Sequence, residues 1–341
     1  MFLNPSKFLF LMTLISGTLV SISSNSWMGA WMGLEINLLS FVPLMTNSNN
    51  LMATEASLKY FLTQALASST LLFSVILLSQ NNFFAFFFPE SDCIINLMIN
   101  SSLLLKMGAA PFHFWFPGVM EGLNWLNSFL LMTWQKIAPF MLISYCWEKN
   151  MIFFIVIMSV MVGSFGGLNQ TSLRKLMAYS SINHIGWMLA ALIVGENLFF
   201  IYFTLYSILS LSIIFLFSSF KMFHLNQMFS LSNSSLIKFC LMISLLSLGG
   251  LPPFLGFLPK WIVIQSLVES NNVFLISIMV TMTLITLYFY LRITYSSFMM
   301  ANSELKWNFN LNQNNLNYYM LILSIFSIAG LFLITLMFNI F

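Results

Sequence analysis

Apolar stretches of about twenty residues follow one another along nearly the whole chain, separated only by short polar segments. An α-helix of this length crosses the hydrocarbon core of a bilayer, whereas membrane strands would show ten-residue segments of alternating polarity, which this chain lacks. Only 6% of the residues are charged, against roughly a quarter in a soluble domain. The sequence therefore predicts an all-α polytopic membrane protein.

Asn, Ser, Pro and charged residues divide the apolar stretches into eleven predicted transmembrane helices. They lie near residues 5–23, 27–45, 55–79, 93–121, 122–146, 151–169, 173–195, 198–221, 237–267, 272–299 and 316–340. Basic residues collect in the loops on one side of the membrane, which receives Lys7, Arg174, Lys175, Lys221, Lys238 and Lys306. The opposite side receives Lys149 together with Glu90, Asp92, Glu148, Glu196 and Glu269. By the positive-inside rule, the N-terminus is predicted to lie on the matrix or cytoplasmic side.

The fourth and ninth predicted helices are interrupted in a similar way, by GAAPFHFWFP at 108–117 and by GGLPPFLGFLP at 249–259. The two interrupted helices are five positions apart in the helix order, and because five is odd, a second copy would enter the membrane from the opposite face. The sequence therefore predicts two five-helix repeats of inverted topology, residues 1–149 and 150–300. Residues 301–341 would add a loop and a C-terminal helix. Broken helices in matching halves indicate a transport site near the middle of the membrane.

Four charged residues lie inside predicted spans at depths where water is scarce: Glu35, Lys106, Lys136 and Lys260. A charge at the centre of a membrane helix costs about 2.5–3.5 kcal/mol on insertion scales, so such residues usually face a partner or a hydrated cavity and move ions or protons. A nearby carboxylate favours a charged lysine, and removal from water favours a neutral one. Glu35 and Lys106 are thus predicted to form a proton switch; the alternative is a static buried pair that only fixes packing.

His184 lies near the middle of the seventh predicted helix, where its imidazole could relay protons between lysines or serve only as a hydrogen-bonded packing residue. The cysteines Cys93, Cys146 and Cys240 are isolated and show no metal-ligand spacing. No phosphate loop, catalytic triad or dinucleotide fingerprint is present, and the basic residues form no nucleic-acid patch. The sequence predicts no cofactor, metal or redox centre on this chain.

Several segments carry a family resemblance, among them GAWMGLEINLLSF, LLLKMGAAPFHFWFP, NQTSLRKLMAYSSINHIGWML and LSLGGLPPFLGFLPKW. In these segments the chain resembles the subunit 2 family of mitochondrial NADH:ubiquinone oxidoreductase, respiratory complex I, and its insect members in particular. The resemblance implies an antiporter-like, proton-translocating subunit of the membrane arm, coupled to electron transfer from NADH to ubiquinone elsewhere in the complex. It places the proton-transfer residues of the family on Glu35, Lys106, Lys136 and Lys260.

The same resemblance implies a multi-pass protein of the mitochondrial inner membrane, with its N-terminus on the matrix side. The expected partners are lipid and other core and accessory subunits of the membrane arm, in a hetero-oligomer whose NADH, FMN, iron–sulfur clusters and ubiquinone are bound by other chains. Two other interpretations of the sequence stay open. A stand-alone cation/proton antiporter subunit would share the broken helices and lysines, and a purely architectural subunit would use the helices only as a scaffold.

Overall fold

The structure, a computed structural model, describes residues 5–47, 50–80, 91–229, 235–299 and Gly330. These residues are almost entirely helical. We number the helices α1 (Pro5–Ser23), α2 (Trp27–Met45), α3 (Leu51–Ser79), α4 (Ser91–Met107), α5 (Trp115–Gly122), α6 (Trp125–Met132), α7 (Trp134–Tyr145), α8 (Lys149–Gly167), α9 (Leu173–Val194), α10 (Glu196–Ser219), α11 (Leu225–Phe229), α12 (Ser235–Gly249), α13 (Phe257–Glu269) and α14 (Val273–Met299).

The predicted all-α membrane architecture is confirmed. Seven of the helices are long and apolar enough to cross a bilayer, namely α1, α2, α3, α8, α9, α10 and most of α14. Shorter apolar helices cover Cys93–Met107 and Lys238–Gly249, within the predicted fourth and ninth spans. The eleventh predicted span, residues 316–340, lies outside the described residues apart from Gly330.

The chain divides into two compact units, Met1–Ser159 and Val160–Phe341. In the first unit, α1 packs along α2, and α3 contacts α2, α4 and α5. α1 and α2 approach each other closely at Gly33, where a Cβ atom would lie 2.5 Å from the backbone nitrogen of Ser21. At Gly29, one turn before Gly33, an added Cβ would lie 3.0 Å from the Ser24 Cβ.

In the second unit, α9 is the most buried of the membrane-length helices. It contacts α10, α13 and α14. Its polar side chains, including His184, are therefore surrounded by protein rather than lipid. The predicted repeat boundary near residue 149 and the inverted topology of the halves stay predictions.

Hydroxyl and amide side chains satisfy their hydrogen bonds differently in these helices. Buried serines donate to carbonyls one turn back in their own helix, as Ser74 does to Leu71 (2.7 Å) and Ser102 to Ile99 (2.7 Å). Such local bonds leave a helix free to face lipid. The longer amide of Gln64 instead reaches another helix, so residues of this kind mark the polar interior.

The fifth predicted span, 122–146, is continuous in the sequence prediction but interrupted in the structure. Thr133 separates α6 from α7 with φ −115° and ψ −72°. Pro139, six residues after Thr133, has no N–H to donate to the carbonyl of Gln135. Lys136 therefore lies in the first turn of a new helix, and its backbone N–H bonds to Thr133 three residues back (3.1 Å).

Candidate functional site: three buried lysines at helix interruptions

The first interruption begins at Gly108, whose φ of +73° is a left-handed conformation that favours glycine. The N–H of Gly108 bonds to Leu105 (3.2 Å), and that of Ala109 bonds to Leu104 (3.1 Å). These are the two bonds of a Schellman helix end. The indole N–H of Trp115, from the first residue of α5, also donates to the Leu105 carbonyl (3.0 Å). The backbone of the interruption is therefore hydrogen-bonded within the protein.

Lys106 lies in the last turn of α4 and is only 7% exposed. Its carbonyl accepts a hydrogen bond from the Gln64 amide (3.2 Å). The residue lines a small cavity with space for about one water molecule. Glu35 interacts with Lys106 electrostatically, although no direct ion pair within 4.0 Å joins them among the described residues. The structure therefore brings the two predicted switch residues near each other without a direct contact.

Lys136 is 1% exposed, the most buried of the three lysines. Its Nζ lies 5.2 Å from the centroid of the Phe116 ring, within cation–π range. Phe116 also packs against Gly108, where an added Cβ would lie 3.1 Å from the Phe116 Cβ. One aromatic side chain thus links the interruption after α4 to the lysine on α7.

The second interruption begins at Gly250, which is also left-handed, with φ +83°. Its N–H bonds to Ser247 (3.0 Å) and Leu246 (3.2 Å), closing the end of α12. Lys260, 6% exposed and in the first turn of α13, donates from Nζ to the carbonyl of Gly249 (2.8 Å). The last carbonyls of a helix lack partners within the helix and carry partial negative charge. Lys260 therefore spans the interruption with a charge-assisted hydrogen bond.

His184 is buried in α9. Its Nδ1 lies 2.9 Å from the Tyr202 hydroxyl, and its ring centroid lies 4.8 Å from that of Tyr206. A histidine with a phenol partner on the neighbouring helix could pass a proton or hold the two helices in register. The geometry leaves both predicted roles of His184 open.

Comparison with known proteins identifies the family. Residues 24–286 match the family described as NADH:quinone oxidoreductase/Mrp antiporter, TM, and residues 287–338 match the NADH dehydrogenase subunit 2 C-terminus. The NADH-ubiquinone oxidoreductase chain 2 of Anopheles gambiae is 56% identical over 338 residues, covering 98% of each chain. That of Aedes aegypti is 59% identical over 336 residues, again covering 98% of each. The chain belongs to the NADH-ubiquinone oxidoreductase chain 2 family. The resemblance to insect members of this family is thereby confirmed.

Solved structures share the fold of the chain 2 family at low sequence identity. A chain in respiratory complex I from Thermus thermophilus aligns with TM-score 0.82 and 23% identity, over 96% of this chain and 78% of that one. A chain of the Mrp complex from Dietzia aligns with TM-score 0.72 and 17% identity, over 83% of this chain and 59% of that one. These similarities support the fold.

The structure also places beside Lys106 polar residues that the sequence analysis did not select in this member of the chain 2 family. They are the neutral polar side chains of Asn37, Tyr60, Gln64 and Gln135, which line the cavity beside Lys106. Charge singles out a lysine in an apolar span, but amides and hydroxyls are frequent in these spans. Only their contacts across helices distinguish them, and those contacts are tertiary.

Proposed function

We propose that the chain is a core proton-translocating subunit in the membrane arm of respiratory complex I. The observation that carries this proposal is the placement of three lysines, each at most 7% exposed, beside interruptions of membrane helices. Each interruption breaks the continuity of the helix, and such irregular backbone is tolerated at membrane depth where it is buried in protein or lines a wet cavity. Lysines in such places are suited to take up and release protons.

In the proposed mechanism, a conformational or electrostatic change from the quinone-reducing end alters the separation of Glu35 and Lys106. The charged form of Lys106 is favoured when the carboxylate is close and disfavoured when it withdraws. Proton affinity then shifts at Lys106, next at Lys136 and finally at Lys260, with His184 and ordered water bridging the gaps. Glu35 lies on α2 and Lys106 on α4, so a movement of one helix relative to the other would change their separation and with it the strength of their interaction.

Electron transfer from NADH to ubiquinone belongs to other subunits in this proposal. This chain binds none of the NADH, FMN, iron–sulfur clusters or ubiquinone of the complex, and its partners are lipid and other core and accessory subunits of the membrane arm. In this proposal the chain lies in the mitochondrial inner membrane. Its N-terminus is on the matrix side, as the loop charges predict.

Replacement of Lys136 by Met tests the proposal directly. Methionine fills nearly the same volume, so packing around Phe116 is kept while the protonatable amine is lost. We expect assembled complexes that have lost proton pumping and coupled NADH oxidation, measured in sealed membrane vesicles. Lys59, exposed on α3, provides the matched control, since Lys59→Met removes a lysine without entering the interior. A normal proton-to-electron ratio in the Lys136→Met complex would refute the proposal.

The antiporter alternative makes a different prediction, because a stand-alone antiporter works without a redox partner. Purification from native membranes separates the two, and we expect the chain to copurify with NADH-oxidising activity. An architectural subunit, in turn, would tolerate neutral replacements at Lys106, Lys136 and Lys260 without loss of pumping.

A further inference from the structure

A chain of hydrogen bonds between side chains joins three helices of the first unit beside Lys106. The side-chain amide nitrogen of Gln135, on α7, donates to the side-chain oxygen Oδ1 of Asn37 on α2 (2.9 Å). The Gln135 oxygen accepts from the Tyr60 hydroxyl on α3 (3.4 Å). We call these three residues the amide bridge.

The amide bridge connects the helices that carry the proposed proton-transfer groups of this unit. Asn37 lies two residues after Glu35, and Gln135 directly precedes Lys136. Gln64, one turn after Tyr60 on α3, completes the lining by its bond to the Lys106 carbonyl. One polar cluster therefore connects α2, α3, α4 and α7.

The small cavity lined by this cluster is just large enough for one water molecule and has the polar groups to bind it. It has space for about one water and is lined by the amide bridge, Gln64 and Lys106, with Leu34, Leu38 and Pro139 supplying apolar walls. A buried water typically makes two to four hydrogen bonds to polar groups, and the amides, the phenol and the lysine offer that number. Amides do not release protons at physiological pH, but both ends of a Gln side chain can orient water.

We propose that Asn37, Tyr60 and Gln135 are positioning residues that hold a water molecule beside Lys106 for proton exchange. The inference rests on the proposed function of Lys106. In the exchange, an N–H bond of the Lys106 ammonium breaks as an O–H bond forms on the water, which releases another of its protons to the next acceptor. The water is regenerated unchanged, and the reverse sequence reprotonates the lysine.

The principal test is Gln135→Met in the assembled complex. Methionine keeps the length of the side chain but removes both hydrogen bonds of the amide bridge. Without these bonds the water is no longer held in the geometry that proton transfer needs, so we expect proton pumping per assembled complex to fall by about tenfold or more. The matched control is Gln80→Met, at the exposed end of α3, which should pump at the native rate.

A second measurement separates water positioning from simple helix packing. If the bridge orders a water in the transfer path, Gln135→Met should increase the ratio of pumping rates in H2O and D2O, since a poorly placed water makes proton transfer more rate-limiting. Tyr60→Phe should do the same to a smaller degree. Phenylalanine keeps the edge contacts of the Tyr60 ring with Phe41 (5.3 Å) and Trp115 (5.8 Å), so this variant carries the test if Gln135→Met does not assemble.

Unchanged pumping and an unchanged isotope ratio in assembled Gln135→Met or Tyr60→Phe complexes would overturn the inference. A loss confined to the amount of assembled complex, with normal pumping per complex, would assign the bridge to packing and would also overturn it. If Lys136→Met abolishes pumping while these variants pump normally, only the present inference fails. If Lys136→Met also pumps normally, the proposed function fails.

Discussion

Replacement of Lys260 by Arg and by Met separates the charge of this residue from its proton. The ammonium donates to the Gly249 carbonyl at 2.8 Å across the second interruption, and a hydrogen bond to a charged group contributes about 1.5–3 kcal/mol. Lys260→Met keeps the side-chain volume but leaves that carbonyl without this donor, so we expect α12 and α13 to be less stable by about that amount. Lys260→Arg retains a charged donor that does not release a proton in proteins.

The two variants should therefore differ in stability and agree in activity. A positioned general acid or base contributes about 10²- to 10⁴-fold to a proton-transfer rate, so both variants should lose at least about a hundredfold in pumping if Lys260 transfers protons. Lys260→Met should also lower the thermal midpoint of the complex, and by more than Lys260→Arg does. The larger guanidinium must fit beside Gly250, where an added Cβ would lie 3.0 Å from the lysine Nζ. We therefore expect a moderate loss of stability in Lys260→Arg as well, smaller than that of Lys260→Met.

The assay is proton uptake per NADH oxidised in sealed vesicles, combined with thermal melting of the purified complex. Lys149, exposed at the start of α8, supplies the control, because Lys149→Arg keeps a positive charge and Lys149→Met removes one outside the protein interior. Normal pumping by Lys260→Arg would refute the reasoning, since it would show that a fixed positive charge at the interruption is sufficient.

Two further predictions concern the aromatic partners of the site. Phe116→Leu removes the ring that lies 5.2 Å from the Lys136 amine. A cation–π interaction contributes about 0.5–2 kcal/mol, so the pumping rate should fall roughly two- to thirtyfold. Phe116→Tyr, which keeps an aromatic ring, should restore it. Equal effects of Leu and Tyr would instead indicate a change in packing. Tyr202→Phe removes the hydroxyl 2.9 Å from His184 Nδ1 and should slow pumping about fivefold, the equivalent of about one hydrogen bond, if His184 relays protons. An unchanged pumping rate would assign His184 to packing.

Much of the membrane architecture follows from local properties of the sequence. The predicted spans 5–23 and 27–45 match α1 and α2 at both ends, because the length of an apolar run and its polar flanks are set by the bilayer and not by neighbouring helices. The interruptions at 108–117 and 249–259 were also predictable, since Gly and Pro limit the backbone wherever they occur. The break at Thr133 was missed because neither threonine nor the preceding run of apolar residues carries such a signal.

The sequence by itself determined that the chain is a helical membrane protein with lysines at depths where charge is costly, because hydrophobicity, helix length and ionisability are properties of single residues and short segments. Tertiary structure decided what those lysines face. Lys136 meets the ring of Phe116, Lys260 meets the carbonyl of Gly249, and the amide bridge forms between residues as far apart in sequence as Asn37 and Gln135. A hydrogen bond between different helices depends on how those helices pack, and the packing is set by the whole bundle together.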